Sequence, residues 1–268
     1  AEGIALRERK NMPFILGLCE QFNIPITWAI VGHLFLEACE RKNGITHPDI
    51  KRLKHFENQY WNFSSGDWFD ADPCCNWPDA LEWYAPDVIK KIINSKVKHE
   101  IACHTFSHIN CQQEVCPDGV FENEIQKCKD MAKDHGTVLN SFVFPANLTG
   151  HTEILKKEGF SAYRVDKDVF GFPEKDINGL WQIPTTAMIC PSSHHGLSLN
   201  YHIKKYKRII ERAIRYQRVC HLWFHPSASK EFLEPVLTDL FKFIDSFRNE
   251  LHITTMGAYA DYLENAKL

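Results

Sequence analysis

Short apolar, β-favouring runs alternate with longer segments of helical periodicity along almost the whole chain. This order is typical of parallel βα units, because two parallel strands need a crossover long enough to hold a helix. The runs predict seven strands, at 26–31, 100–103, 141–144, 162–165, 180–186, 219–224 and 253–255. The pattern therefore favours an α/β fold, a distorted (β/α)7-8 (TIM-like) barrel.

The segments of helical periodicity lie at 6–22, 85–94, 121–135, 149–158, 201–217 and 232–250. The first of them has no strand before it, so we expect a barrel that lacks its first strand in this chain, with that strand upstream of Ala1. Barrels of ~250 residues routinely form one domain, and we expect a single domain over residues 1–268. The alternation stops at about 43–85, a stretch rich in Trp and Asp that we interpret as a loop insertion.

Composition argues against several classes of partner. The net charge is -3 and Lys and Arg are scattered, so we expect no nucleic-acid partner. No apolar run approaches the ~20 residues that a membrane-spanning helix needs, so we expect no transmembrane segment. The ten cysteines include no CxxC pair, which favours free, mostly buried thiols and a reducing, cytoplasmic location. The sequence does not indicate an oligomeric state.

The sharpest motif is HEIACHTFSH, in which a predicted strand leads directly to His104 and His108. Two imidazoles at this spacing can converge on one metal ion when they follow the carboxyl end of a strand. Barrel enzymes place their active sites at that end. The HxxxH spacing alone is weak evidence for a metal site, but a second strand that ends in histidine strengthens that evidence.

That second strand is in VCHLWFHPS, where an apolar run ends on His225 and Pro226 stops the strand. The unperturbed pKa of histidine lies near neutrality, so His225 can act as a general acid or base beside a metal. A histidine at one isolated strand end would more often be a structural residue. We therefore treat His225 as a catalytic candidate because it accompanies the His104 and His108 pair.

These motifs resemble the polysaccharide deacetylase family, which has the chitooligosaccharide deacetylase homology domain. HTFSH matches the family's H(S/T)xxH metal motif, and LWFHP resembles its late strand ending in a catalytic histidine. ITWAIVG looks like its second strand, and SFVFPANLTGH looks like its proline-and-glycine loop, in the same order. WFDADPC and EWYAPDVI are similar to the extra aromatic loop of one subgroup.

The resemblance implies hydrolysis of an N-acetyl or similar amide by a metal-activated water. His104 and His108 would hold a divalent metal, zinc or else cobalt, nickel or manganese. His225 would donate a proton to the leaving amine. The expected substrate is a carbohydrate.

The first departure from the family pattern concerns carboxylates. The family has an acidic motif at the end of its first strand, which supplies a base and a third metal ligand, and no residue before Leu6 matches it. We expect this motif upstream of Ala1. Asp67, Asp70 and Asp72 in the aromatic loop are alternative sources, and Asp70 is our candidate for a substrate contact.

The second departure is Ala146, which follows Pro145 where the family commonly has an arginine nearby. We expect Asn147 to contact the substrate in this loop and Arg164 to supply the missing cation. An ordinary surface or ion-paired role for Arg164 is equally compatible with the sequence.

Three functions remain open. The first is a metal-dependent carbohydrate N-deacetylase, and the second is a related carbon–nitrogen hydrolase acting on a small amide, ureide or imide. The third is a catalytically inactive sugar-binding barrel that keeps the histidines. A substrate panel separates the first two, and loss of all turnover identifies the third.

Overall fold

A parallel β-sheet with helices packed around it forms the centre of the fold. The computed structural model describes residues 2–53, 68–167, 170–191 and 197–266, with the backbone alone described for Glu2, Trp68 and Asp70. Within these residues the strands are β1 (Thr27–Ile30), β2 (Arg41–Lys42), β3 (Ile45–Thr46), β4 (Glu100–Cys103), β5 (Ser141–Phe142), β6 (Ala162–Val165), β7 (Glu174–Lys175), β8 (Trp181–Pro184), β9 (Ala187–Met188) and β10 (Leu222–Trp223). The α-helices are α1 (Glu2–Phe22), α2 (Pro86–Ile93), α3 (Asp118–Asp134), α4 (Thr152–Lys157), α5 (Leu199–Arg215), α6 (Lys230–Ser246) and α7 (Met256–Asn265).

Five parallel strands make up the main sheet, in the order β1-β4-β5-β6-β8, and β7 pairs antiparallel with β8 at the far edge. Directly after β8, strand β9 pairs in parallel with β10. The α/β class with a parallel sheet is therefore confirmed. Within the described ranges β1 and β10 each pair with a single strand, so the closure of a barrel stays a prediction.

The sheet is buried because helices cover it, as parallel sheets require. In β4 the side chains of Ile101, Ala102 and Cys103 are all buried, without the alternation of a strand that has one face in water. Helix α1 packs on α6, with the rings of Phe22 and Phe241 6.4 Å apart, and α6 packs on α5. The carboxyl ends of the strands remain available to loops.

Helix α7 covers the amino-terminal end of the sheet, where a seventh strand at 253–255 was expected. That prediction is wrong, because this segment is not in a strand and its last residue, Thr255, is the N-cap of α7. The backbone N–H of Gly257 donates to the carboxylate of Glu100, the first residue of β4. A helix amino terminus binds a carboxylate favourably. A Cβ on Gly257 would lie 2.5 Å from Glu100 Oε1, so a larger residue there would have to displace this carboxylate.

The other sequence predictions agree with the structure in type, and most of them differ at their ends. The strands expected at 100–103 and 162–165 have the expected bounds, whereas the expected 219–224 shortens to the two residues of β10. The six predicted helices are all present, and α7 was not predicted. The insertion at about 43–85 contains short 3-10 turns at Trp68–Ala71 and Trp77–Asp79 within its described part.

Candidate metal site at the carboxyl edge of the sheet

The HTFSH loop leaves the carboxyl end of β4 and brings two imidazoles together. The ring centroids of His104 and His108 lie 4.8 Å apart, and both residues are half-buried. His104 Nδ1 lies 2.6 Å from the carbonyl oxygen of Val143, which follows the neighbouring strand β5. Because a carbonyl can only accept, Nδ1 carries the hydrogen, and a neutral His104 has its lone pair on Nε2.

The backbone of this loop has two residues in the left-handed region. The φ angles of Thr105 and His108 are 57° and 58°. This conformation is unfavourable for a β-branched residue such as threonine and is tolerated only where the surroundings impose it. Such strain is common at functional sites. The loop is therefore held by tertiary contacts against its local preference.

Glu124 on α3 supplies the strongest of these contacts. Its carboxylate accepts hydrogen bonds from the backbone N–H groups of Phe106 and Ser107 at 2.7 and 2.8 Å, and from the Ser107 hydroxyl at 2.6 Å. Glu124 is 1% exposed, and its burial raises the pKa to about 6 against the effect of these hydrogen bonds. Glu124 thus holds the middle of the loop between the two histidines.

The segment after β1 supports the same loop from the other side. The N–H of Gly32 donates to the Thr105 carbonyl at 2.8 Å, and the N–H of His33 donates to the Phe106 carbonyl at 3.0 Å. A Cβ on Gly32 would lie 2.7 Å from the Sγ of Cys128 and 3.0 Å from the Phe106 ring. The close packing explains why glycine follows β1.

Both histidines of the pair favour the neutral form. Burial lowers the pKa of His104 well below its ordinary value, and the charge of His108 lowers it further. Burial is also the largest cause that lowers the pKa of His108, to about 4. A neutral imidazole has a nitrogen lone pair available for a metal ion.

His225 follows the carboxyl end of β10, which pairs with β9 in a separate two-stranded sheet, and is exposed. Its ring centroid lies 5.4 Å from that of Trp223. Partial desolvation by the surrounding protein and then the positive charge of Arg164 lower its pKa. The charge of His225 in turn contributes to the lowered pKa of both His104 and His108, which places the three imidazoles in one electrostatic environment.

Arg164 and Asn147, the two expected substrate residues, are in direct contact. Arg164 Nη2 donates to Asn147 Oδ1 at 2.6 Å, and its guanidinium lies 4.5 Å from the centroid of the Trp223 ring. Asn147 Nδ2 donates to Asp166 Oδ2 at 2.9 Å, and the Thr185 hydroxyl donates to Asp166 Oδ1 at 2.9 Å. Among the described residues, buried Arg164 Nε has no hydrogen-bond partner. A cation and an amide thus stand beside the histidines.

The acidic residues of the aromatic loop were the alternative source of a carboxylate for the metal site. Asp67 and the side chain of Asp70 lie outside the described residues, so the substrate contact expected of Asp70 stays a prediction. Asp72 is 1% exposed and contacts His33 and His47. It is thus engaged with two other histidines.

A second group of possible metal ligands was not predicted from the sequence. His33, Cys39, His47 and Asp72 have donor atoms that all lie within 4.8 Å of one another. The available signal was a histidine at a strand end, since His33 follows β1 as His104 follows β4. A third group, Asp118, His151 and Glu153, includes two exposed acids, and such groups are common without an ion.

The fold described here is shared with hydrolases of solved structure. One is a putative polysaccharide deacetylase from Mycobacterium smegmatis, with a TM-score of 0.62 and 16% identity over 96% of this chain and 78% of that chain. Another is the Puue allantoinase, with a TM-score of 0.60 and 14% identity over 92% of this chain and 70% of that chain. No protein-family model matches the sequence. No curated protein matches it significantly either.

At these identities the likeness establishes a common fold, and it agrees with the resemblance seen in the motifs. All ten cysteines are free thiols, and five of them are buried. Within the described ranges no helix is long and apolar enough to cross a membrane.

Proposed function

We propose that this chain is a metal-dependent hydrolase of carbon–nitrogen bonds that removes an N-acetyl group from a carbohydrate. The observation that carries the proposal is the pairing of the His104 and His108 rings, 4.8 Å apart after the carboxyl end of β4, with His225 near enough for its charge to lower the pKa of both. The fold shared with a deacetylase and an allantoinase supports the reaction class.

The residues present fit a divalent metal. The Nδ1–H of His104 donates to the Val143 carbonyl, which fixes the tautomer that has its lone pair on Nε2. Metal-ligating histidines almost always donate their other ring N–H in this way. The proposed metal ligands are therefore His104 Nε2 and a ring nitrogen of His108, and zinc is the metal that two imidazoles and a carboxylate would suit.

When bound, the metal lowers the pKa of a coordinated water and polarises the carbonyl of the substrate. The protein side chains perform the remaining tasks. His225 is exposed at the rim of the site, where its imidazole nitrogen can give a proton to the departing amine. Its lowered pKa keeps the ring neutral near pH 7, so His225 would first take up the proton released by the attacking water and then give it to the amine.

Arg164 and Asn147 are proposed to bind the substrate. The guanidinium lies 4.5 Å from the centroid of the Trp223 ring and is hydrogen-bonded to Asn147, so its position is set before the substrate arrives. Asp166 orients the Asn147 amide through Nδ2. Trp223 offers part of an aromatic face, which suits the apolar face of a sugar ring.

A carboxylate to complete the ligand set is proposed to lie in the strand expected upstream of Ala1. Among the described residues β1 pairs with β4 alone at one edge of the main sheet, and β10 pairs with β9 alone in a separate two-stranded sheet. A strand that paired in parallel with β1 would end at the same edge as β4.

Metal content in variants tests the site. We expect His104→Ala and His108→Ala each to lose one equivalent of zinc relative to the unmodified chain, measured by elemental analysis after dialysis. His252→Ala, at an exposed histidine outside the site, is the matched control and should retain all its metal. Retention of that equivalent in both site variants would overturn the assignment.

Amine release tests the activity. The zinc-loaded chain, extended upstream by its natural sequence where one exists, is incubated with N-acetylated oligosaccharides and with small amides, ureides and imides. Release from the oligosaccharides alone supports the deacetylase. Release from the small compounds supports the second candidate, which the shared fold of the allantoinase favours. If the metal-loaded chain releases amine from none of these compounds, the third candidate, a catalytically inactive sugar-binding protein, is supported instead.

A further inference from the structure

A second cluster of metal-ligand side chains lies beside the HTFSH loop, and the proposed function does not use it. His33 lies in the turn after β1, whereas Cys39, His47 and Asp72 belong to the loop region that follows. His33, His47 and Asp72 are 1%, 7% and 1% exposed. Three ionisable groups are thus buried together in the interior, where each of them needs a partner.

The donor atoms around Asp72 Oδ2 lie at or slightly below the separations of a tetrahedral ligand shell. His33 Nε2 lies 2.8 Å and His47 Nε2 lies 3.1 Å from Asp72 Oδ2, and the two Nε2 atoms are 3.1 Å apart. Cys39 Sγ lies 3.3 Å from the same carboxylate oxygen. Ligand atoms about 2.0–2.3 Å from a tetrahedral zinc are separated from one another by roughly 3.3–3.6 Å. An expansion of a few tenths of an ångström accommodates the ion.

A hydrogen bond outside the cluster orients the ring of His33 towards Asp72. His33 Nδ1 lies 3.0 Å from the carbonyl oxygen of Trp83, so this nitrogen carries the hydrogen and a neutral His33 has its lone pair on Nε2. That lone pair faces Asp72 Oδ2, which is itself an acceptor. Two acceptors at 2.8 Å repel each other unless a proton or a cation lies between them.

The other carboxylate oxygen of Asp72 is already satisfied. Asp72 Oδ1 accepts from the Tyr84 hydroxyl at 2.7 Å and from the Cys74 N–H at 2.9 Å. Oδ2 is the oxygen that faces the two imidazoles and the thiol. Outer hydrogen bonds of this kind are what orient the ligands of a metal site.

We propose that His33, Cys39, His47 and Asp72 form a second, structural metal site of the four-coordinate zinc type. With four protein ligands the site is closed, which is the arrangement of structural zinc and not of catalytic zinc. The ion joins the turn after β1 to Asp72 in the aromatic loop, across residues that are 39 positions apart.

The second site also packs against the loop that contains His104 and His108. The rings of His33 and His47 lie 5.7 and 5.5 Å from the ring of Phe106, the central residue of HTFSH. His33 also donates its backbone N–H to the Phe106 carbonyl. Filling the second site therefore fixes the packing against which the loop with His104 and His108 folds.

Metal counting separates the two sites. We expect the zinc-loaded chain to bind two equivalents and the double variant His104→Ala/His108→Ala to retain one. Adding Cys39→Ser to that double variant should weaken binding of the remaining ion at least tenfold in a chelator competition. Cys75→Ser, at a half-buried cysteine outside the cluster, is the matched control and should not change the affinity.

Cobalt spectroscopy of the unmodified chain gives a second readout, which the variants then extend. Cobalt in the unmodified chain should show a thiolate-to-metal charge-transfer band with tetrahedral d–d bands, and Cys39→Ser should lose the charge-transfer band while Cys75→Ser keeps it. The second site would be overturned if the unmodified chain bound one equivalent of metal, lost it in His104→Ala/His108→Ala, and showed no thiolate band. The four residues would then form only a buried hydrogen-bonded network. Retention of one equivalent and the band in that double variant supports the second site.

Discussion

The carboxylate of Glu124 should contribute strongly to folding, because three buried donors depend on it. Glu124→Ala leaves the N–H groups of Phe106 and Ser107 and the Ser107 hydroxyl without their acceptor. An unsatisfied buried polar group costs about 1–3 kcal/mol. Against this, the pKa shift from 4.5 to about 6 means that keeping the buried carboxyl charged costs about 2 kcal/mol above pH 6. For the three donors together the expected net loss is therefore about 1–7 kcal/mol at neutral pH.

Glu124→Gln separates the hydrogen bonds from the charge. The amide keeps the shape, and its carbonyl oxygen can accept from both backbone N–H groups, so we expect stability within about 1 kcal/mol of the unmodified chain.

The pH dependence follows from the raised pKa. Between pH 4.5 and about 6 the native carboxyl holds its proton while the unfolded one releases it. The native state then binds more protons, so the free energy of unfolding falls as pH rises through this window, by up to about 2 kcal/mol. Glu124→Gln should lack this contribution.

Urea unfolding followed by far-ultraviolet circular dichroism, repeated from acidic to neutral pH, measures both effects. Glu122→Ala is the matched control, because Glu122 lies on the same helix and makes a surface ion pair with Lys157 worth at most about 1 kcal/mol. If Glu124→Ala were as stable as Glu124→Gln, the three hydrogen bonds would not hold the loop and the reasoning would be wrong.

Three further substitutions test the site and its frame. His225→Ala should lower kcat on the order of 10²–10⁴-fold with zinc content unchanged; unchanged turnover in steady-state assays would remove His225 from the proton transfer. Arg164→Lys should raise KM roughly tenfold, because a lysine cannot both stack on the tryptophan and bond Asn147; an unchanged KM would mean that the cation does not bind substrate. Gly257→Ala should destabilise the chain by about 1–3 kcal/mol, measured by thermal unfolding, since the new methyl group would meet Glu100; a stable variant would show that α7 can shift at no cost.

The sequence was most informative where the relevant residues are close along the chain. His104 and His108 are four positions apart, and the strand before them has the residues and length of a buried parallel strand. Local spacing therefore indicated a pair of converging imidazoles. The ring separation of 4.8 Å agrees with that expectation.

The prediction from the local sequence pattern was wrong where a distant element supplied the hydrogen-bond partners. The run at 253–255 has β-favouring residues, but Thr255 caps α7 and the next residues donate to Thr27 and Glu100. Those acceptors are more than 150 positions away. A short stretch of sequence around residues 253–255 therefore does not include these acceptors.

What the sequence by itself determined is the order of βα units, the parallel sheet class and the position of histidines at strand ends. These features depend on hydrophobic period and residue type over a few residues. The tertiary structure alone decided that buried Glu124 holds the HTFSH loop, that Arg164 meets Asn147, and that His33 meets Asp72 across 39 positions. Such pairings follow from the packing of distant segments around one core, which brings together groups whose separation along the chain carries no signal of contact.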